Sequence, residues 1–350
     1  MLDPFVKKKN SVKPGFNVGV LLSRKETKGA VGIEIEVEGK NLIYHHTNGF
    51  PAKYWQYKED HSLRGEESGE YVLVKPIEFK EVPLALKALF DLFKSNKTKF
   101  DDSNRTSVHV HLNCQDFYLN RLTSFTALWF CVEEILTQWC GEHRVGNLFC
   151  LRARDATGIV SHLRKFIKSD GKYDLFEGLH YSGFNAHALK KYGSIEIRTM
   201  RGVSDPKIIQ DWIEILQRIY EYSAEFPDPR DVCGMFSGYG ALSMFSQILG
   251  DKASAVRTGV SWTDNEIRDA MYRGVRLAQD LCYCRDWGLY KTQEVKEDPF
   301  KRDKKTVATK IMNFDAETTP LISTWWETVN VISSDADITF DGAQSIHLEY

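Results

Sequence analysis

The sequence predicts an α+β fold in which strands and helices occupy different stretches of the chain. Three short segments, at residues 32–38, 107–113 and 194–198, alternate apolar and polar side chains with a period of two. This alternation is typical of strands that bury one face. Apolar residues at three- and four-residue spacing indicate helices elsewhere. Residues 228–350 carry mostly helical signals and no comparable strand, so a mostly helical C-terminal region is expected.

The polar face of these three segments is rich in side chains that bind metals. Carboxylates two residues apart on a strand lie only about 6–7 Å from each other. Such crowding raises a carboxylate pKa unless cations or hydrogen bonds compensate. The pattern therefore indicates a face that surrounds cations together with an anion. Its members are Glu34, Glu36, Glu38, His109, His111, Asn113, Glu196 and Arg198.

The other elements follow from local signals. A polar arm, residues 1–28, precedes the first strand, and Gly65 and Gly69 mark a hairpin-like turn within the second strand region. Asp205 followed by Pro206 is typical of a helix start. The predicted strands are 31–38, 54–79 with an interruption at 60–65, 107–113 and 194–198, and the predicted helices are 80–94, 119–140, 206–224 and 264–283.

Several acidic positions have simpler interpretations. Glu38, at the end of its strand, is expected to be an exposed rim residue. Glu133 and Glu134 lie in the longest predicted helix, where one of them is expected to face solvent. Asp60 and Arg64 either form a salt bridge across a turn or belong to a site.

Composition excludes several classes of protein. The 350 residues, 42% hydrophobic and 27% charged, can form one large domain or two smaller ones. A net charge of -2 gives no long-range field for nucleic acid or acidic membranes. No apolar run approaches the roughly 20 residues of a membrane span, and the basic N-terminus lacks the apolar stretch of a signal peptide. The seven cysteines include no Cys-x-x-Cys pair, which favours reduced core thiols and a cytoplasmic protein.

The ligand types favour a hard divalent cation. Glutamates with one or two histidines suit Mg2+ or Mn2+, whereas a structural zinc site would contain cysteine pairs. Because Mg2+ usually shares phosphate oxygens, Arg198 beside Glu196 suits a guanidinium that neutralises a transferring phosphoryl group. Arg64, Arg144 and Arg201 are further cationic candidates. The sequence contains no P-loop and no kinase-like glycine-rich loop.

Six motifs follow one another along residues 30–220. They are Gly32-Ile33-Glu34-Ile35-Glu36, Asp60-His61-Ser62-Leu63-Arg64, the Glu70–Pro76 segment, His109-Val110-His111, the group Arg144, Asn147 and Cys150, and finally Tyr181, Asn185 and Gly193–Arg198. Their content and order resemble the phage and bacterial amidoligases, relatives of glutamine synthetase and of glutamate–cysteine ligase. The combination is specific, although each motif alone is not.

The resemblance implies an ATP-dependent carboxylate–amine ligase that acts through an acyl-phosphate at a two-metal site. It implies a glutamine synthetase-like catalytic fold over residues 29–227, with a curved, mainly antiparallel sheet and helices packed on one face. The implied cofactors are ATP and Mg2+ or Mn2+, and the implied partners are small-molecule or peptide carboxylates and amines, with no nucleic acid and no membrane. The family is common in phage genomes, so the cytoplasmic location expected from the cysteines would be the host cytoplasm if the gene is phage-encoded. Nothing in the family pattern accounts for residues 228–350.

Residue roles are carried over from the family position by position. The resemblance implies that Glu34 and Glu36 bind the paired ions, with Glu70 completing the first metal site. The second is completed by His109 and Glu196. The implied nucleotide contacts are His111, Asn185 and Arg198, and the implied catalytic cations are Arg198, Arg144, Arg64 and Arg201.

One departure concerns the third-glutamate strand. In the family this glutamate stands four residues before proline, where this chain has Val72, and Glu70 lies two residues further back. A shift of two residues keeps a side chain on the same strand face. Two alternatives stay open: a catalytically silent module that binds a nucleotide or a partner, and a metallohydrolase, disfavoured because no nucleophile or third histidine accompanies the motifs. The acid, the amine and the oligomeric state are also left open.

Overall fold

The computed structural model describes residues 12–22, 28–175 and 180–288. Over these ranges the fold is mixed α+β, as predicted, with one mostly antiparallel sheet and helices. The strands are β1 (Val31–Lys40), β2 (Trp55–Lys58), β3 (Glu67–Leu73), β4 (Lys99–Phe100), β5 (Ser107–Asn113), β6 (Phe184–Asn185) and β7 (Ser194–Arg201). The helices are α1 (Val82–Ser95), α2 (Leu119–Trp139), α3 (Thr157–Lys168), α4 (Ala188–Tyr192), α5 (Pro206–Tyr222), α6 (Arg230–Tyr239), α7 (Ala241–Leu249), α8 (Ala253–Val260) and α9 (Asp264–Cys282). The predictions for residues 1–11 and 289–350 lie outside the described residues.

The described part of the chain forms one seven-stranded sheet. Its order is β2-β3-β1-β5-β7-β6, and the short β4 pairs with the end of β1. Each of these strand pairs is antiparallel. The three segments with ligand-rich polar faces, β1, β5 and β7, are therefore consecutive neighbours, and β3 flanks β1 on the other side.

The apolar face of the sheet forms the core, as the alternation predicts. Ile35 and Val110 are buried in this core. Helix α2 packs against the sheet, because its Phe125 and Trp129 rings lie 5.9 and 6.3 Å from the Phe184 ring of β6. Aromatic side chains bury a large apolar area, so this contact ties the longest helix to the strands.

The predicted helices form with their expected starts. The Asp205 side chain accepts a hydrogen bond from the Lys207 backbone N–H at 2.8 Å, which caps α5. Thr263 and Glu266 form a reciprocal capping box at the start of α9. Helices α6 to α9 contribute buried residues to the same core as the sheet. The described part of the predicted C-terminal helical region is therefore helical and packed on the rest.

Two compositional predictions can be compared with the described residues. All seven cysteines lie within the described ranges as free thiols, and six of them are buried, as predicted. Among residues 12–22, 28–175 and 180–288, no helix has the length and apolarity that crossing a bilayer requires.

The prediction that Glu38 is an exposed rim residue is wrong. Glu38 is only 6% exposed, because the turn before β3 folds over the end of β1. Its carboxylate accepts a hydrogen bond from the Arg64 backbone N–H. Burial opposes the charged form, but this bond and one from Ser103 outweigh it and hold the pKa of Glu38 below its usual range. Glu38 thus anchors a turn.

Glu133 and Glu134 differ in burial: Glu133 is buried, and Glu134 is the one that reaches solvent, as predicted for one of the two. Glu134 is part-exposed and is paired with Arg154 and Arg273. Glu133 is 3% exposed, and its carboxylate accepts hydrogen bonds from the Ala153 backbone N–H at 2.9 Å and from Trp129 Nε1 at 3.2 Å. The buried side chain ties α2 to the segment before α3.

Burial of Glu133 makes stability depend on pH. Burial raises the pKa of Glu133 to about 7, although the bonds from Ala153 and Trp129 oppose the shift. Above its unfolded-state pKa the unfolded chain releases this proton first, so the stability contribution falls as pH rises towards 7. We expect the unfolding free energy of wild type, relative to Glu133→Gln, to fall by about 2–3 kcal/mol from pH 5 to pH 8. Urea unfolding of both proteins at each pH measures this change, and a difference independent of pH would contradict it.

Candidate functional site

Polar side chains of β1, β3, β5 and β7 converge on one face of the sheet. Directly opposed residues in an antiparallel pair share a face, with Cβ atoms about 4.5–5.5 Å apart. The register therefore gathers four carboxylates and two imidazoles at the centre of the sheet. The opposed pairs are Glu34 with His109, Glu36 with Glu70, and His111 with Glu196.

Glu70 joins this face although Val72 stands at the family position. Strand β3 pairs with β1 so that Glu70 lies opposite Glu36 and Val72 lies opposite Glu34. Both side chains lie on the polar face because they are two residues apart. Val72 has no ligand atom, whereas a carboxylate oxygen of Glu70 lies within 4.8 Å of donor atoms of Glu34 and His109.

Two overlapping donor sets are compact enough to hold a metal ion each. Within each set, the ligand atoms all lie within 4.8 Å of one another. Carboxylate oxygens and imidazole nitrogens, without sulfur, fit a hard divalent cation. Glu34 belongs to both sets, so two ions held here would share it. The first set is Glu34, Glu70 and His109, and the second is Glu34, His111 and Glu196.

This grouping differs from the assignment that the resemblance implies. His109 groups with Glu70 rather than with Glu196, and His111 takes the place beside Glu196. Glu36 belongs to neither set, although its Oε1 lies 3.6 Å from His109 Nε2. Glu36 is therefore placed to orient the ring of His109, as residues behind a metal ligand commonly do.

The His109 ring lies among several polar side chains of the site. Its Nδ1 lies 3.2 Å from Glu34 Oε2 and 3.5 Å from Glu196 Oε1. Its Nε2 lies 2.7 Å from Ser107 Oγ, and that hydroxyl donates to Glu36 Oε2 at 2.6 Å. The sequence interpretation missed Ser107, although a residue two positions before a ligand on the same strand shares its face.

Neighbouring histidines and Arg198 lower the pKa of two of the carboxylates. Burial alone would raise the pKa of Glu34, but hydrogen bonds and charge from His109 and His111 outweigh burial and lower it well below the usual range. Burial likewise opposes the charged form of Glu196. The charges of His111, His109 and Arg198 prevail, so the pKa of Glu196 is also lowered. Both groups are therefore available as anionic ligands at neutral pH.

Glu70 behaves in the opposite way. Burial, followed by the charges of Glu34 and Glu36, raises the pKa of Glu70 to about 8. Lys58, which lies opposite Glu70 in the β2–β3 ladder, lowers this pKa only in part. The side chain thus holds its proton at neutral pH when no cation balances the neighbouring charges.

Glu196 is held from two sides by predicted site residues. Asn185 Nδ2 donates to one carboxylate oxygen at 2.6 Å, and Arg198 Nη1 donates to the other at 2.6 Å. The Arg198 side chain is 18% exposed, and its Nε donates to the Phe149 carbonyl at 3.5 Å. Because a guanidinium has five N–H donors, Arg198 keeps donors for an anion beside the second set.

Arg144, a predicted catalytic cation, supports the strand instead. Its side chain is 1% exposed, its Nε donates to the Thr199 carbonyl at 3.0 Å, and its Nη2 donates to the Arg198 carbonyl at 2.7 Å. These carbonyls lie where the β5–β7 ladder shifts register between Val108 and Val110. The buried guanidinium satisfies main-chain carbonyls at this irregularity and has no opening toward a ligand.

Arg64 and Arg201 also donate hydrogen bonds to main-chain carbonyls. Arg64 is exposed, and its Nη1 donates to the His61 carbonyl at 3.3 Å. Arg201 Nη1 donates to the Cys140 carbonyl at 2.6 Å, at the end of α2. Of the four predicted catalytic arginines, all within the described ranges, only Arg198 forms a salt bridge with a donor-set carboxylate.

A cavity of about 420 Å3 opens beside the second donor set. Its lining includes Glu34 and His111 together with Lys58 of β2 and Lys191 of α4. The sequence interpretation missed both lysines, because the pairing of β2 with β3 and the approach of α4 to β7 depend on long-range contacts. A larger adjoining cavity, about 1130 Å3, shares part of this lining but none of the donor-set residues.

No protein-family model matches this chain, and no curated protein matches it either.

Proposed function

We propose that this chain is an ATP-dependent carboxylate–amine ligase with a glutamine synthetase-like catalytic fold. The observation that carries the proposal is that two donor sets share Glu34 on one sheet face, with Arg198 beside them. Paired hard cations beside a guanidinium suit phosphoryl transfer, which depends on positioning and charge stabilisation. The α+β fold with its antiparallel sheet and the order of the motifs along residues 30–220 also support the proposal.

Each side chain of the site has a role in this proposal. Glu34, Glu70 and His109 would hold one divalent ion, Mg2+ or Mn2+, and Glu34, His111 and Glu196 would hold the other. When bound, they neutralise charge on phosphate oxygens. Glu36 orients His109, and Asn185 orients Glu196. Arg198 neutralises charge that develops on the transferring phosphoryl group.

The proposed reaction has two steps. A carboxylate oxygen attacks the γ-phosphorus of ATP, the bond to the β–γ bridging oxygen breaks, and ADP leaves. An amine nitrogen then attacks the acyl carbon, the bond to the phosphate oxygen breaks, inorganic phosphate leaves, and the nitrogen loses a proton. The protein contributes by holding the reacting groups in position, since such positioning removes much of the entropic barrier.

Coupled ADP release tests the proposal. Purified protein is supplied with ATP, Mg2+ and a panel of carboxylates and amines. We expect ADP release that requires both an acid and an amine and that falls at least about a hundredfold in Arg198→Ala, because an oriented donor at developing charge contributes that much. Arg257→Ala on α8, a side chain 53% exposed, is the matched control and should retain activity.

Two other outcomes would overturn the ligase proposal. Failure to bind nucleotide at millimolar Mg2+ would identify a catalytically silent binding module. Hydrolysis of phosphate or amide bonds without ATP would identify a metallohydrolase that uses the same carboxylates and histidines.

A further inference from the structure

Three lysines line the 420 Å3 cavity that contains Glu34 and His111. They are Lys58 of β2, Lys75 in the turn after β3 and Lys191 of α4, and the cavity is called the lysine-lined cavity below. Its volume lies within the roughly 300–1,000 Å3 of small-molecule pockets. The three lysines come from separate chain segments.

The charges of these lysines are not compensated by salt bridges. The lysine salt bridges of the described ranges involve Lys13, Lys40, Lys87, Lys190, Lys207 and Lys252. Lys58 and Lys75 are exposed. The Lys191 amino group lies 4.8 Å from the centre of the Tyr192 ring and is hydrogen-bonded to Tyr192, and an ammonium group has three N–H donors in all.

An occupant that satisfies the whole cavity needs several negative charges. Metal ions beside Glu34 and His111 accept phosphate oxygens as further ligands. Lysine binds phosphate as a point charge. A single carboxylate carries one charge and cannot reach three lysines on separate segments together with a metal ion. A chain of phosphates carries several charges along its length and can contact the lysines and a metal ion together.

The lining also offers neutral hydrogen-bonding groups. Gln56 contributes a side-chain amide, and Ser194 contributes a hydroxyl beside His111, with its Oγ 3.1 Å from His111 Nδ1. Amides and hydroxyls complete the coordination of phosphate oxygens that lysines and metals leave open.

We propose that Lys58, Lys75 and Lys191 position a polyphosphate in the lysine-lined cavity, namely the triphosphate of the nucleotide. The inference rests on the proposed function for the identity of that nucleotide, whereas the polyphosphate itself follows from the charges of the cavity. The lysines are positioning residues, and the reacting groups stay beside the donor sets.

Isothermal titration calorimetry with the full chain, which measures binding affinities, tests the inference. The titrants are Mn2+ alone and, with Mn2+ present, ATP, AMP and inorganic tripolyphosphate. The proteins are wild type, Lys58→Ala, Lys191→Ala, Lys58→Arg and the control Lys87→Ala, whose lysine pairs with Asp91 on α1. We expect the loss of a cavity lysine to lower the affinity for ATP and for tripolyphosphate by about tenfold. The affinity for AMP is expected to fall by less than about threefold.

The Mn2+ titration separates this role from a structural one. Loss of a cationic side chain next to the acidic donor sets is expected to leave the affinity for Mn2+ unchanged or to raise it. Damage to the fold would instead lower the affinity for both Mn2+ and ATP. Lys58→Arg and Lys87→Ala are expected to bind ATP within about threefold of wild type, because each keeps the charge of the cavity.

The possible results distinguish the inference from the proposed function. If ATP binds and the lysine variants bind it as well as wild type does, the inference is overturned while the ligase proposal stands. If tripolyphosphate binds in a lysine-dependent way but ATP does not, the polyphosphate site stands, whereas its assignment to a nucleotide and the ligase proposal both fail. If wild type binds neither, both fail.

Discussion

Replacing Glu34 with Gln is expected to abolish metal binding at both donor sets and, with it, the proposed ligase activity. Glu34 is the residue that the two sets share, and its pKa is depressed by His109 and His111, so it is an anionic ligand at neutral pH. The amide loses the charge and presents N–H donors to a cation. We expect Mn2+ affinity to fall more than about a hundredfold. Activity is expected to fall about a thousandfold or more, since metal charge stabilisation amounts to several kcal/mol.

Electron paramagnetic resonance of Mn2+ and ADP release measure the two effects in one preparation. Glu59→Gln, an exposed glutamate just after β2, is the matched control and is expected to behave as wild type. Glu36→Gln provides a second comparison, because Glu36 lies outside both sets and should weaken Mn2+ binding less than Glu34→Gln does. Equal losses in the Glu34 and Glu36 variants would contradict the grouping found here.

The second large effect is expected at Gly274, where α9 touches α2. A Cβ atom at this position would lie 2.3 Å from the Phe130 carbonyl oxygen and 2.8 Å from the Cys131 Cα. Both neighbours are backbone atoms of a buried helix, so they cannot turn aside as a side chain would. We expect Gly274→Ala to lower the unfolding free energy by about 3 kcal/mol, at the upper end of overpacking effects. Urea unfolding measures it.

Gly234 on α6 provides the control, because alanine at this position is expected to raise the unfolding free energy rather than lower it. No atom lies within 4 Å of a Cβ built at Gly234, and the residue is inside a helix. Alanine favours the helix over glycine by about 0.8–1.0 kcal/mol, so Gly234→Ala is expected to stabilise the protein slightly. If Gly274→Ala were equally stabilising, the close approach of α2 and α9 would not be a constraint on this fold.

Much of the architecture was predictable from local patterns. Alternation placed Ile35, Val110 and their neighbours on a buried face, because a strand must turn every second side chain the same way. Apolar spacing predicted α1, α2, α5 and α9 to within a few residues, and Asp205 marked the start of α5. These features depend on residues close together in the chain.

Two features that the local sequence did not indicate depend on long-range contacts. Glu38 was predicted to be exposed because it ends an amphipathic strand, but a turn distant in sequence covers it. Arg144 was grouped with the catalytic cations by its motif, whereas its guanidinium binds the carbonyls of β7. Neither contact leaves a signal in the local sequence.

Alternation along the chain is enough to assign the ligand-bearing and the core-facing sides of β1, β5 and β7, because it is a local property. The grouping of those ligands depends instead on how the strands pair in the folded protein. The β1–β3 register brings Glu70 opposite Glu36, and the β1–β5 and β5–β7 registers make Glu34 common to both donor sets. Strand register depends on packing between distant segments, and a slip of one residue would turn every ligand of a strand to the other face.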